Sequence, residues 1–256
     1  MHPGAFTSYI DVAQVALYGF WVFFAALLIY LRKEDKREGY PLESDRSPNV
    51  TVQGWPAMPA PKVFKLAHGG EVSVPNNRPE AVPLMAKPAH AFPGAPIQPT
   101  GNPLTDAVGP AAYANRADEP DLTIEGALKI VPLRVATDFG IEERDPDPRG
   151  KPVYGADGEV GGVVTDVWVD RSEPQIRYLE LEVEGASGKR QVLLPIGMAR
   201  VNRREVKVAS ILARHFADVP ALRDPDRITL LEEDKISAYY TGGQLYARPL
   251  RHGARL

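Results

Sequence analysis

An uninterrupted uncharged run of twenty residues, 12–31, lies near the start of this chain, and Arg32, Lys33, Lys36 and Arg37 follow it at once. Twenty residues at about 1.5 Å of helical rise span about 30 Å, the hydrocarbon thickness of a bilayer. Phe20, Trp21, Phe23, Phe24, Leu27, Leu28 and Ile29 cover every face, with none of the one-sided patterning of a helix packed on a soluble core. A cleaved signal peptide has its charge before a shorter core and a small-residue cleavage site after it. Here the charge comes after a long core, and RKEDKREGYPLE offers no such site. The expectation is a retained membrane helix at 12–32. The N-terminal flank carries only His2, Asp11 and the amino terminus, so the positive-inside rule puts the tail 1–11 outside and everything downstream in the cytoplasm. Gln14, the one strongly polar side chain in the run, is expected to reach the interface or a neighbouring helix. Tyr30 fits an aromatic belt, and Arg32, Lys33, Lys36 and Arg37 fit a lipid interface at about 1 kcal/mol per charge. Glu34, Asp35 and Glu38 interleave with them and weaken that attraction.

A single span excludes a self-contained transporter or channel, which needs several helices to build a polar path. The chain has no cysteine, which removes disulfides, thiolate metal sites and thiol nucleophiles. Its net charge of −3 gives no general attraction to nucleic acid. The five histidines, at 2, 68, 90, 215 and 252, form no H-x-H or H-x-x-x-H pair, so no metal site is expected. Walker A, G-x-G-x-x-G, H-E-x-x-H and G-x-S-x-G patterns are all missing, and an enzyme reading has little to stand on. The Asp-x-Asp of residues 142–149 lies among prolines, without the downstream ligands of a calcium loop.

After the helix, thirteen of the twenty-five prolines fall between Pro41 and Pro103. Each removes an amide donor and fixes φ, so residues 33–105 are expected to form an extended arm on the membrane surface or on a partner. Within it, KVFKLAHGGEVSVP reads as two short strands about the turn at His68, Gly69 and Gly70. Residues 106–256 change to a compact, mainly-β texture. Val163, Thr165, Val167 and Val169 are expected on one face of a strand, with Asp166, Trp168 and Asp170 on the other. In the next strand Leu179, Leu181 and Val183 point in and Glu180, Glu182 and Glu184 out. Residues 191–194 and 205–208 make further strands. This is the pattern of a small antiparallel barrel or sandwich. Thr229 and Glu232 have capping-box spacing, and a short C-terminal helix should run from there to about Tyr240 and stop at Gly242 and Gly243.

Asp166, Asp170, Glu173, Arg177 and Glu180 gather charge on one hairpin. Alone, that is an ordinary polar hairpin end with an exposed ion pair. Its setting changes the reading. The N-terminal helix is followed by Arg37-Glu38-Gly39-Tyr40-Pro41-Leu42, Gly109-Pro110-Ala111-Ala112, Lys129-Ile130-Val131-Pro132 and Asp166-Val167-Trp168-Val169-Asp170. Leu194-Pro195, Leu231-Glu232-Glu233-Asp234-Lys235, Ala238-Tyr239-Tyr240 and Gly242-Gly243 come after them in the chain. These motifs in this order carry a resemblance to the H subunit of the purple bacterial photosynthetic reaction centre. It implies a PRC-type barrel in the cytoplasmic domain and a non-catalytic subunit of the bacterial inner, intracytoplasmic membrane, with a periplasmic N-terminus. It further implies L and M subunits as partners, with antenna and a cytochrome subunit as further candidates beside membrane lipids. Bacteriochlorophyll, bacteriopheophytin, quinones and non-haem iron would lie in the partner subunits, and none in this chain.

The resemblance also implies a role in carrying protons to the secondary quinone, with Asp170, Glu173 and Arg177 as relay candidates. Gly39, Tyr40, Pro41 and Leu42 become candidates for a partner interface. Where some family members carry a histidine pair at the point of proton uptake, this chain reads Thr123-Ile124-Glu125-Gly126-Ala127. Glu125 is the titratable residue left there, as a replacement acid or an ordinary surface carboxylate. The rival reading is a membrane-tethered PRC-barrel adaptor for a soluble cytoplasmic partner, which explains anchor and barrel but not the long proline arm between them.

Overall fold

The structure is a computed structural model that describes residues 11–39, 42, 53–67, 69–76, 84–92, 94–186 and 188–248. The chain divides into two units, Met1–Pro83 with Phe92–Gly94, and Leu84–Ala91 with Ala95–Leu256.

Helix α1, Val12–Asp35, leads the first unit. Asp11 caps it by accepting the Gln14 amide at 2.7 Å, satisfying one of the donors that a helix start leaves unpaired. None of its residues is buried, and its length and apolar character qualify it as a membrane span. Gln14 meets its hydrogen-bonding need inside the helix, donating from Nε2 to the Tyr18 hydroxyl at 3.0 Å. The helix runs three residues past Arg32, and Glu34 in this last turn pairs with Arg37 at 2.8 Å. Beyond it, β1 (Lys62–Lys65) and β2 (Glu71–Val74) form an antiparallel hairpin. Gly69 and Gly70 turn the chain with φ of 94° and 90°, a left-handed conformation that only glycine adopts freely. His68 lies outside the described residues.

In the second unit, β3 (Ala86–Pro88) pairs with β4 (Ile97–Pro99). Both strands end on a proline, which has no amide to continue a ladder. The main sheet contains β5 (Ile130–Pro132), β6 (Pro152–Tyr154), β7 (Val160–Asp170), β8 (Gln175–Gly185), β9 (Gly188–Pro195), β10 (Ala199–Val201) and β11 (Val206–Val208). Its order is β10-β11-β6-β7-β8-β9, with β5 added beside β7. All pairs are antiparallel except β11 with β6. A flat path of six strands would separate its outer strands by about 24 Å. Those strands are β9 and β10, joined only by the 3-10 turn Ile196–Met198. Five residues of chain reach about 14 Å, so the sheet curls into a barrel-like form. Its interior holds Val164, Val167, Leu179, Leu181, Val183, Val192 and Leu194, packed with Phe216, Ile236 and Tyr240.

The alternation expected in β7 breaks. Val163 and Thr165 are exposed, whereas Val164 and every residue of 166–170 are buried. The register slips at residues 164–166 and again at 168–169. Each β-bulge adds a residue and swaps the faces of the side chains beyond it. In β8, Leu179, Leu181 and Val183 point in as expected, Glu182 is half-buried and Glu184 exposed, but Glu180 is buried.

Helix α2, Leu230–Tyr246, opens on the expected capping box. Thr229 Oγ1 accepts the Glu232 amide at 3.1 Å, and the Glu232 carboxylate accepts the Thr229 amide at 2.9 Å. The helix does not stop at Gly242 and Gly243; it passes through both. Their role is close packing. A Cβ on Gly242 would lie 2.7 Å from the Ala111 Cβ, and one on Gly243 would lie 2.3 Å from Ile211 Cγ2 and 2.6 Å from the Ser210 carbonyl oxygen. Alanine ordinarily favours a helix over glycine by about 1 kcal/mol. At Gly243 the obstructing atoms include backbone, so Gly243→Ala is expected to destabilise by about 1–3 kcal/mol. Gly197→Ala, which meets open space, should leave the melting temperature of the detergent-solubilised chain unchanged.

Candidate functional site

The β7–β8 turn places the three expected relay residues differently. Asp170 is buried at the end of β7, and its Oδ1 accepts the amides of Ser172 and Glu173 at 2.9 and 3.1 Å. It builds the turn. Glu173 and Arg177 are exposed, and Glu173 accepts a hydrogen bond from Gln175 at 3.2 Å. No hydrogen bond or ion pair between side chains joins these three among the described residues. Glu125 stands exposed in a turn closed by Thr123 N–H to Ala127 O at 2.8 Å and Gly126 N–H to Thr123 O at 2.9 Å. Its neighbour Ile124 is 98% exposed.

The titratable cluster assembles one layer further in. The first turn of α2 carries Glu233 to the start of β8, where its carboxylate accepts the Tyr178 hydroxyl at 2.8 Å. Arg177 sits close enough to act on both Glu233 and Lys129. Lys129 pairs with Asp121 at 3.1 Å across the base of the loop that bears Glu125, and it also feels the charge of Asp170. Arg116 meets Asp234 at 3.4 Å. Burial raises the Glu233 carboxyl above the ordinary range, outweighing Tyr178 and Arg177. Burial also pushes Asp121 upward, but the Lys129 ammonium outweighs it and leaves Asp121 below the ordinary range. Burial and Glu233 together push the Tyr178 hydroxyl well above its usual value. One carboxyl is thus inclined to hold a proton and another to remain charged within the same cluster. Glu233 and Tyr178 are pairing partners from elements 55 residues apart, a separation that hides them from any local pattern.

A second cluster explains buried Glu180. It accepts from Trp168 Nε1 at 2.8 Å and from Arg134 at 2.9 Å. Arg134 also donates to Asp166 at 3.1 Å, Asp226 at 2.9 Å and the Pro225 carbonyl at 2.5 Å. Burial alone would lower the Arg134 pKa, but Glu180 and Asp226 raise it. Every carboxylate here has a cation or amide donor, so this network clasps the 133–139 and 222–228 loops to β7 and β8.

At the end of α1, Tyr30, Arg32 and Lys33 are exposed. Lys36 and Arg37 depart from the expected lipid-facing role. The Lys36 side chain is buried, and Nζ donates to the carbonyls of Gln53, Gly54 and Pro56. Arg37 is half-buried and donates to Glu34, to Ala60 O at 2.6 Å and to Val74 O at 3.3 Å. Main-chain oxygens pull both cations back from the surface. Of the interface candidates, Gly39 (φ 71°) and Leu42 are exposed; Tyr40 and Pro41 lie outside the described residues.

A single apolar helix followed by a curled, mainly-β domain defines a membrane-anchored protein of the PRC-barrel class, and the PRC-barrel domain profile matches residues 140–213. The profile of the photosynthetic reaction centre H-chain N-terminal region matches residues 4–135, more than half of the chain, and the chain belongs to that H-chain family. Strand β5 lies in the first match and pairs with β7 in the second, so the two regions share one sheet. A stretch of 77 residues is also 31% identical to an uncharacterized protein of Deinococcus radiodurans, covering 30% of this chain and 28% of the relative's length.

Raised Glu233 binds its proton more tightly folded than unfolded. Its contribution to stability is complete below the ordinary carboxylate pKa and is lost as pH rises through the raised value. Glu233→Gln should therefore raise the melting temperature at about pH 8 and flatten its decline between about pH 4 and pH 8.

Proposed function

We propose that this chain is a non-catalytic H subunit of a light-driven, quinone-reducing reaction centre, covering the cytoplasmic face of the L and M subunits and assisting proton delivery to the secondary quinone. The observation that carries the reading is the H-chain match across α1, the arm and β5, on a chain in which two oppositely tuned carboxyls, Glu233 of α2 and Asp121 of the 121–129 loop, gather near the start of β8. The proposed division is a periplasmic tail at 1–11, a membrane segment at 12–32, a membrane-surface arm at 33–105 and a cytoplasmic domain at 106–256. Pigments, quinones and iron belong to the partner subunits. Antenna, a cytochrome subunit and lipids are further proposed neighbours.

Reduced quinone takes up protons at a site shielded from bulk water, so titratable groups must be closely spaced along a polar path. The exposed Glu173 and Arg177, with Glu125 at the neighbouring turn, are proposed as the outer groups. Behind them Glu233 holds a proton that Arg177 and Tyr178 help to release, while the negative charge that Lys129 keeps on Asp121 favours the protonated Glu233. Asp170 acts by fixing the turn that presents Glu173.

Two outcomes test the reading. Purification of the full chain from its native membrane in mild detergent should bring down pigment absorbing in the near infrared; a colourless monomer would favour the tethered adaptor. Glu173→Gln should slow the proton-coupled second electron transfer to quinone about tenfold or more while leaving primary charge separation unchanged. Identical kinetics at all pH values would remove Glu173 from the relay.

A further inference from the structure

The carbonyls that bury Lys36 are those on either side of Trp55. Nζ donates to Gln53 O, to Gly54 O at 3.2 Å and to Pro56 O at 2.5 Å. Gly54 takes a φ of 64°, the left-handed conformation that lets successive carbonyls converge on one cation. Pro56 is buried beside this grip, and Pro59 and Pro75 are buried too, while Trp55 is 74% exposed. A large indole is therefore held outward by a loop whose backbone is fixed to the end of α1.

The depth of that point comes from helix geometry. The apolar run that fills the hydrocarbon ends at Leu31, and Lys36 lies about 7 Å further along the chain axis. The headgroup layer extends about 5–8 Å beyond the hydrocarbon on each side. Lys36 and the loop it holds thus stand at headgroup level, where an indole places its ring in the apolar boundary and its N–H among polar groups. The hairpin is tied to the same helix end, through Arg37 to Ala60 O and Val74 O and through Lys62 to Glu34 at 3.6 Å. It leaves Val63, Phe64 and Leu66 exposed.

We propose that residues 53–56 form a membrane-interface anchor in which Lys36, gripping three main-chain carbonyls, holds the indole of Trp55 among phospholipid headgroups beside the end of α1. Lys36 acts on the loop rather than on lipid. The inference rests on α1 spanning the bilayer, and the test separates the two ideas.

The full chain contains three tryptophans: Trp21 in α1, Trp55, and Trp168, which is buried in the barrel. In phosphatidylcholine–phosphatidylglycerol nanodiscs, the fluorescence difference between Trp21→Phe and Trp21→Phe/Trp55→Phe reports Trp55. The difference between the unaltered chain and Trp21→Phe reports Trp21. Lipids brominated near the headgroup should quench Trp55 about twofold more strongly than lipids brominated near the chain end, and Trp21 in the reverse order. Iodide should reach Trp55 weakly, and more strongly after Lys36→Met. Trp55 open to iodide and untouched by brominated lipid, with Trp21 still deep, would overturn the anchor and leave the span intact. Trp55 shielded from both quenchers would overturn it in favour of a protein contact. Trp21 open to iodide would remove the membrane span itself.

Discussion

The second unit depends on the short connection between its two outermost strands. Because residues 195–199 cannot cross the width of a flat sheet, the strands from β10 to β9 must curl. Bulges in β7 absorb that bend and rotate successive side chains between faces. Trp168 and Val167 can then both be buried, one strand serving two packed surfaces. The hand-off places Glu180 against Arg134, and the far end of the hairpin meets the loop at 121–129 through Arg171 N–H to Lys129 O at 2.8 Å and the start of α2 through Tyr178 to Glu233.

Helix α2 completes the arrangement through contacts that depend on missing atoms. Gly242 and Gly243 let it approach Ala111, Ser210 and Ile211 at backbone distance. Tyr239 and Tyr240 lie buried on the same helix, and the Tyr239 hydroxyl bonds the His215 carbonyl at 2.8 Å. With its axis fixed in this way, the first turn has one position to offer, and Glu233 occupies it against Tyr178. The burial that raises Glu233 is thus a consequence of how tightly the other end of the same helix packs.

Where local chemistry determines structure, the sequence was readable. The apolar run, the capping box at Thr229 and Glu232, and the glycine turn between β1 and β2 are properties of a few neighbouring residues. The inward series Leu179, Leu181 and Val183 was equally legible because β8 keeps one register along its pairing with β9. What failed depended on distant partners. The alternation in β7 predicts the wrong faces because a bulge leaves no mark in a hydrophobic pattern, and Gly242 and Gly243 read as a stop because their steric role lies in Ala111 and Ile211. The same holds for the charged cluster: Asp170, Glu173 and Arg177 are neighbours in sequence, whereas Glu233 comes to Tyr178 and Arg177 only through α2.

Charge placement separates the two polar clusters by task. Around Arg134, three carboxylates share one guanidinium, and both Glu180 and Asp166 also accept N–H donors, Trp168 Nε1 and the Val167 amide, so each charge is fixed by geometry. These charge-assisted bonds hold the 133–139 and 222–228 loops on the sheet. Around Arg177 the pairing is uneven: Asp121 has a cation in contact, while Glu233 has a hydroxyl and a more distant guanidinium. Protonating Glu233 costs little because burial already favours the neutral form, and releasing the proton is assisted by Arg177 and Arg116. Incomplete neutralisation, rather than the number of acidic residues, distinguishes this second cluster and is why the relay is proposed there.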